Sequence, residues 1–172
     1  MRLKFILIVG MLFYTMSQGS LKAQKRIDAG QKIENIVLKD TKREKRSITE
    51  LQGKVVLIHF WASWCPNCRI ENKKLIELYE KYKDRDFTQG QKFEIYAISL
   101  DKKEQQWLKA IEHDGISWKY NVSDLKGWYG KYPTRFQLQY VPYNILINKN
   151  GTIIANNLKF KELQSRLINM SK

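Results

Sequence analysis

Two hydrophobic periods alternate along the chain. Val55-Val56-Leu57-Ile58-His59-Phe60 is a nearly unbroken apolar run of strand length. That pattern predicts a strand covered on both faces, as in a parallel or mixed sheet flanked by helices. Trp61-Ala62-Ser63-Trp64-Cys65-Pro66-Asn67-Cys68 follows directly. Leu75, Leu78, Tyr79 and Tyr82 then recur at helical spacing, predicting a helix from Pro66 to about Lys83. Phe93 to Leu100 reads as the next strand. Asp101 and Glu104 predict a capping box for a helix carrying Trp107, Leu108 and Ile111, with Gly115 as its C-terminal stop. The order β-α-β-α is the mark of an α/β sheet.

The flanking segments are shorter. Residues 24–35 are polar and predict a loosely held lead-in. Ile36-Val37-Leu38 reads as a short strand and Asp40 to Arg46 as a charged turn, after which Ile48 and Leu51 lead through Gly53-Lys54 into the central strand. Trp118, Tyr120 and Val122 alternate like a strand. Pro133 breaks any continuous helix between Asp124 and Tyr140, so residues 116–140 together predict a mixed insertion. Val141-Pro142 precedes Tyr143-Asn144-Ile145-Leu146-Ile147, and Asn150-Gly151 predicts a hairpin into Thr152-Ile153-Ile154-Ala155. Phe160, Leu163, Leu167 and Met170 share one face of a closing helix.

The start of the chain bears on compartment. Arg2 and Lys4 precede a short apolar core from Phe5 to Met16, followed by small and polar residues. This layout predicts a secretory signal peptide over residues 1–23 and a single domain over 24–172, in a periplasmic or otherwise exported protein. An uncleaved segment would instead be a membrane anchor. Cleavage would remove Arg2, Lys4 and Lys22 and no acid, so the +14 chain stays basic. Scattered Lys and Arg suit solubility and weak contact with anionic surfaces. Export argues against nucleic acid as a partner.

Cys65 and Cys68 are the only cysteines. As a staple, a bridge closing two intervening residues would remove little chain entropy. Placed where a strand turns into a helix, the pair has another use. A helix N-terminus carries unpaired N–H groups and about half a positive charge, which stabilise a thiolate over a thiol. Cys65 at the N-cap would be the nucleophile. Pro66 would take the first helical position, and Cys68, one turn in, would resolve the mixed disulfide.

These motifs resemble the thioredoxin superfamily, and within it the exported thiol–disulfide oxidoreductases of the TlpA/ResA type. The resemblance is carried by Gly53 to Glu71, with Trp-Ala-Ser-Trp-Cys-Pro-Asn-Cys at its centre, and by Val141 to Gly151. It implies a thioredoxin-like α/β fold: a central mixed sheet flanked by helices, with a TlpA-type insertion before a cis proline at Pro142. It implies a redox-active disulfide with no metal or organic cofactor, exported thiol or disulfide proteins as clients, and a membrane electron donor or acceptor. It favours a reductant, for example in cytochrome c maturation. Val141 beside Pro142 would offer backbone to a client peptide, with Trp64 and Pro66 lining the docking surface. The sequence departs from the family in having its proline first between the cysteines, and Lys73 where relatives often have a helix-kinking proline.

Glu71 shares a helical face with Cys68 and Leu75. Half-buried, it would hold a raised pKa and could pass a proton to Cys68, a role the resemblance supports; the alternative is a solvated rim glutamate. His59 lies where thioredoxin has a buried acid, and either tunes the pair or is a neutral core histidine. Two other functions fit the residue types. Cys65, Cys68, His59 and His113 make a zinc set on paper, although copper carriers of this fold usually space their cysteines by three. A thiol peroxidase would need a proline and a threonine upstream of Cys65, and neither stands at suitable spacing.

Overall fold

A computed structural model describes residues 27–172. The predicted signal segment lies outside the described residues. In chain order the elements are β1 (Val37–Asp40), β2 (Lys45–Ser47), β3 (Val55–Trp61), α1 (Pro66–Tyr82), β4 (Phe93–Ser99), α2 (Glu104–Asp114), β5 (Tyr120–Ser123), α3 (Lys131–Arg135), β6 (Tyr143–Ile147), β7 (Ile153–Asn156) and α4 (Phe160–Met170), with 3-10 turns at Ile48–Leu51 and Gly127–Tyr129. The strands form one mixed sheet in the order β2-β1-β5-β4-β3-β6-β7. β3, β4 and β5 run parallel, and the remaining pairings are antiparallel. This is the thioredoxin-like arrangement that the resemblance implies.

All seven residues of β3 are buried, as the unbroken apolar run predicts. Successive side chains of a strand point to opposite faces. His59 therefore meets α1 through Asn72, while Phe60 packs edge-on against Phe136 just after α3, with ring centroids 5.9 Å apart. α1 runs unbroken from Pro66 to Tyr82, consistent with Lys73 in place of a proline. It buries Cys68, Asn72, Leu75, Leu78 and Tyr82 on the face turned to the core. It also packs against α2 and α4.

Three expectations change. The lead-in is strapped down: Gly30 N–H donates to Ile153 O and Ile153 N–H to Gln31 O, both at 2.8 Å, and Ile33 N–H reaches Gly151 O at 2.9 Å. Ile27 and Ile33 pack on the core, which the polar composition of the segment hides. The charged turn from Asp40 to Arg46 contains the start of β2, because Asp40 accepts from the backbone of Lys42 and Glu44 and from Arg46. No capping box forms at α2. Lys103 is its N-cap and makes no side-chain cap, while Gly115, in the left-handed region at φ 70°, ends the helix as predicted.

The insertion resolves into β5, a 3-10 turn and the short α3. Pro133 stands third in α3, inside the first turn, where the missing N–H has no helical partner to lose. Asp124 accepts from the backbone N–H groups of Lys126 and Lys131, both at 3.1 Å. A Cβ on Gly130 would meet its carboxylate at 2.9 Å, so only glycine allows this approach. Tyr132 is buried, and its hydroxyl accepts from Val37 N–H at 2.8 Å, which fastens the insertion to β1. Tyr132→Phe leaves that N–H unpaired and is expected to destabilise the fold by about 1–3 kcal/mol, read as a lower urea midpoint with an unchanged slope.

Candidate functional site

β3 ends at Trp61 and α1 begins at Pro66, and the loop between them places Cys65 at the helix N-cap with extended backbone (φ −95°, ψ 107°). Its Sγ accepts from the Cys68 N–H at 3.1 Å. Pro66 occupies the first turn, and no acid stands there to oppose a thiolate. The two cysteines form a disulfide with Cα atoms 5.2 Å apart. Cys65 is 6 % exposed and Cys68 fully buried, so an incoming sulfur reaches Cys65 first.

Across the site the Val141–Pro142 peptide bond is cis, and Val141 O lies 3.6 Å from Cys65 Sγ. Trp64 is half exposed beside the pair, its ring 6.5 Å from that of Trp128 in the insertion. The loop carrying Ser63 is pinned by Asp101, which is fully buried. Its carboxylate accepts from Ser63 N–H at 3.0 Å, Ser63 Oγ at 2.6 Å and Ser99 Oγ at 2.7 Å. These bonds use the carboxylate that the sequence reading gave to α2.

A thioredoxin-like family profile matches residues 53–153. The chain belongs to the thioredoxin-like family. It is 31% identical over 140 residues to the thioredoxin-like protein YneN of Bacillus subtilis, covering 77% of this chain and 78% of that one. It is 30% identical over 161 residues to the thiol-disulfide oxidoreductase ResA of Halalkalibacterium halodurans, covering 90% and 82%. Among solved structures, the C-terminal domain of a putative thiol-disulfide oxidoreductase from Bacteroides thetaiotaomicron superposes with a TM-score of 0.75 at 31% identity, covering 83% of this chain and 95% of that one. This protein is a thioredoxin-like oxidoreductase of the ResA type, with Cys65–Cys68 as its disulfide.

A column of polar side chains links β3, α1 and α2 of this thioredoxin-like protein. His59 is fully buried, with Nε2 3.1 Å from Asn72 Oδ1. Asn72 Nδ2 faces Asp114 Oδ2 at 3.5 Å. Arg69 grips Asp114 with two guanidinium nitrogens, Nη2 reaching Oδ1 at 2.6 Å, and donates to Ser63 O at 3.3 Å. His59 Nδ1 stands 4.0 Å from Glu71 Oε1. The Glu71 side chain is 20% exposed; burial raises its pKa, against an opposing pull from Lys74 and a smaller one from Asn144.

The structure thus brings Trp64, Cys65, Pro66, Val141 and Pro142 together, with Cys68 buried behind Cys65, while Glu71 and His59 face each other 4.0 Å apart between α1 and β3. The zinc set of the sequence reading does not assemble. His59 faces Asn72, His113 sits beside Asp114 and Arg69, and among the described residues no three His, Cys, Asp or Glu come together as metal ligands. The sequence reading missed Asn72, Asp114, Arg69 and the loop-pinning role of Asp101. Asn72 was findable: it stands four residues after Cys68 and three before Leu75, a polar residue at core-facing spacing.

Burial, outweighing the Asn72 hydrogen bond, pushes the His59 pKa down to about 4 from an ordinary 6.5. Between these values the unfolded chain binds a proton that the folded protein refuses, so stability falls as pH drops from about 6.5 to about 4. The full loss attributable to His59 is about 3 kcal/mol. Urea midpoints across this window should fall steeply in the wild type and less steeply in His59→Asn.

Proposed function

We propose that this chain exchanges its Cys65–Cys68 dithiol or disulfide with cysteines of exported proteins, more often as their reductant. The observation that carries this reading is the Cys65 Sγ held on the Cys68 N–H, at a helix N-terminus and beside Val141 O. In the reducing direction the Cys65 thiolate attacks a client disulfide and forms a mixed disulfide. One client sulfur leaves as a thiolate. Cys68 then attacks Cys65 and frees the second client sulfur, leaving the disulfide seen here. Two electrons pass from the pair to the client and are restored by a dithiol donor at the membrane. When Cys68 is later released as a thiolate, Glu71 in its acid form gives it a proton and is recharged from water.

All the electrons reside on sulfur, so the reaction as written needs no metal or organic cofactor. Val141 backbone next to Pro142 pairs with the client segment, and Trp64 covers it. Export is supported by the charged-then-apolar start of the sequence. The clients are protein thiols rather than nucleic acid, and the basic surface gives at most weak contact with anionic surfaces. The cytochrome c maturation role is the specific form suggested by the ResA likeness.

The test is Cys68→Ser expressed with the native leader. Resolution is then blocked, and a covalent client should accumulate on Cys65, released by dithiothreitol and absent from the Cys65→Ser, Cys68→Ser double variant. A single variant that traps nothing, with a wild type inert towards every test disulfide, overturns the reading. Stoichiometric zinc in the reduced wild type would favour metal binding instead.

A further inference from the structure

We propose that Asn72 and Asp114 are positioning residues that hold the His59 proton on Nε2, so that the ring turns a bare Nδ1 lone pair towards Glu71 and keeps that carboxyl in its acid form. The functional value of this rests on Glu71 being the proton partner of Cys68.

The orientation follows from donor and acceptor counting. Arg69 offers only donors, and it holds Asp114 as a carboxylate that can only accept. Asp114 is buried, which by itself would raise its pKa; the Arg69 hydrogen bonds, with His113 and Asn72, bring it below the ordinary value. The Asn72 atom facing Asp114 must therefore be the amino group, since a carbonyl there would set oxygen against oxygen. Asn72 Oδ1 then points at His59, and an oxygen that only accepts requires a donor, so Nε2 carries the hydrogen. A neutral imidazole has one N–H, which leaves Nδ1 bare.

That Nδ1 is buried and has no hydrogen-bond partner. Buried unpaired acceptors are rare and point to a use. The polar atom facing it is Glu71 Oε1, 4.0 Å away. A lone pair opposite a carboxylate repels it, while the same lone pair accepts from a carboxylic O–H once the side chain closes by about 1 Å. Other neighbours do not reverse this. Lys74, one turn along α1, favours the ionised form, but it extends over the Phe160 ring at 5.7 Å. Asn144, opposite His59 in the sheet, holds the backbone of Leu158 at 2.9 Å with its oxygen and one amino hydrogen, and through the other it favours ionised Glu71, less strongly than Lys74 does and not enough to offset burial. Cys68 carries no charge in the disulfide. His113 meets only the outer end of the column, at Arg69 and Asp114.

The experiment follows the oxidised protein by NMR, with nitrogen-15 reporting the His59 tautomer and carbon-13 the Glu71 carboxyl through a pH titration. The wild type should show the His59 hydrogen on Nε2 and a Glu71 midpoint above that of a free glutamate. In Asn72→Leu the ring is free to move its hydrogen to Nδ1 and donate to the carboxylate, so the Glu71 midpoint should fall by about 0.5–1 unit. Asp114→Ala should act in the same direction, and Asp114→Asn, which keeps an accepting oxygen, should restore the wild-type values. A wild-type hydrogen on Nδ1, read without any variant, overturns the proposal. So does a Glu71 midpoint unmoved in both Asn72→Leu and Asp114→Ala. If the midpoint moves while the pH profile of disulfide exchange does not, the positioning stands and the Glu71 proton role falls.

Discussion

Everything at the site depends on a sulfur atom meeting the unpaired amide end of a helix. That meeting is imposed from behind. β3 is enclosed by β4 and β6 on its sides and by helices on its faces, so it has no freedom to slide. A one-residue shift would exchange its two faces and put His59 where Phe60 lies. The strand therefore fixes where α1 starts, and the start of α1 fixes the N–H that reaches Cys65. Asp101 adds a second constraint from β4, holding Ser63 by both its backbone and its hydroxyl.

The polar column makes the opposite physical choice to the core around it. An apolar residue at Asn72 would pack beside Leu75 at no desolvation cost. The chain instead buries an amide, an imidazole and a carboxylate in series and anchors them on a guanidinium at the rim. Such a series costs little only when each member is satisfied. Here each is, except at His59 Nδ1, the end that faces Glu71. That one deficit leaves a bare nitrogen lone pair facing the Glu71 carboxyl.

Much of this was legible in the residues. The run from Val55 to Phe60, the spacing of Leu75, Leu78 and Tyr82, and the Asn-Gly turn gave the central strand, α1 and the hairpin, because each depends on a local period or a local turn. Cys65, Cys68 and Pro142 were legible because motif and position coincide. The strapped lead-in was not, since its bonds run to β7 more than a hundred residues away. Asp101 was misread for a related reason: its local spacing fits a cap, but Ser63, 38 residues earlier, takes its carboxylate through tertiary contact, helped by the local hydroxyl of Ser99. Asp114 gave no sign at all, as its pairing with Arg69 and Asn72 exists only once α1 and α2 lie side by side.

The lead-in strap has a consequence for how the molecule meets others. By bonding to both backbone groups of Ile153 it covers the start of the outer edge of β7, which would otherwise be open to another chain. The opposite rim, β2, is three residues long and carries Lys45 and Arg46, a stretch too brief and too charged to template further pairing. At either flank of the sheet a visiting extended chain would have to displace the strap or pair with a short charged strand, so edge-to-edge stacking of copies is disfavoured.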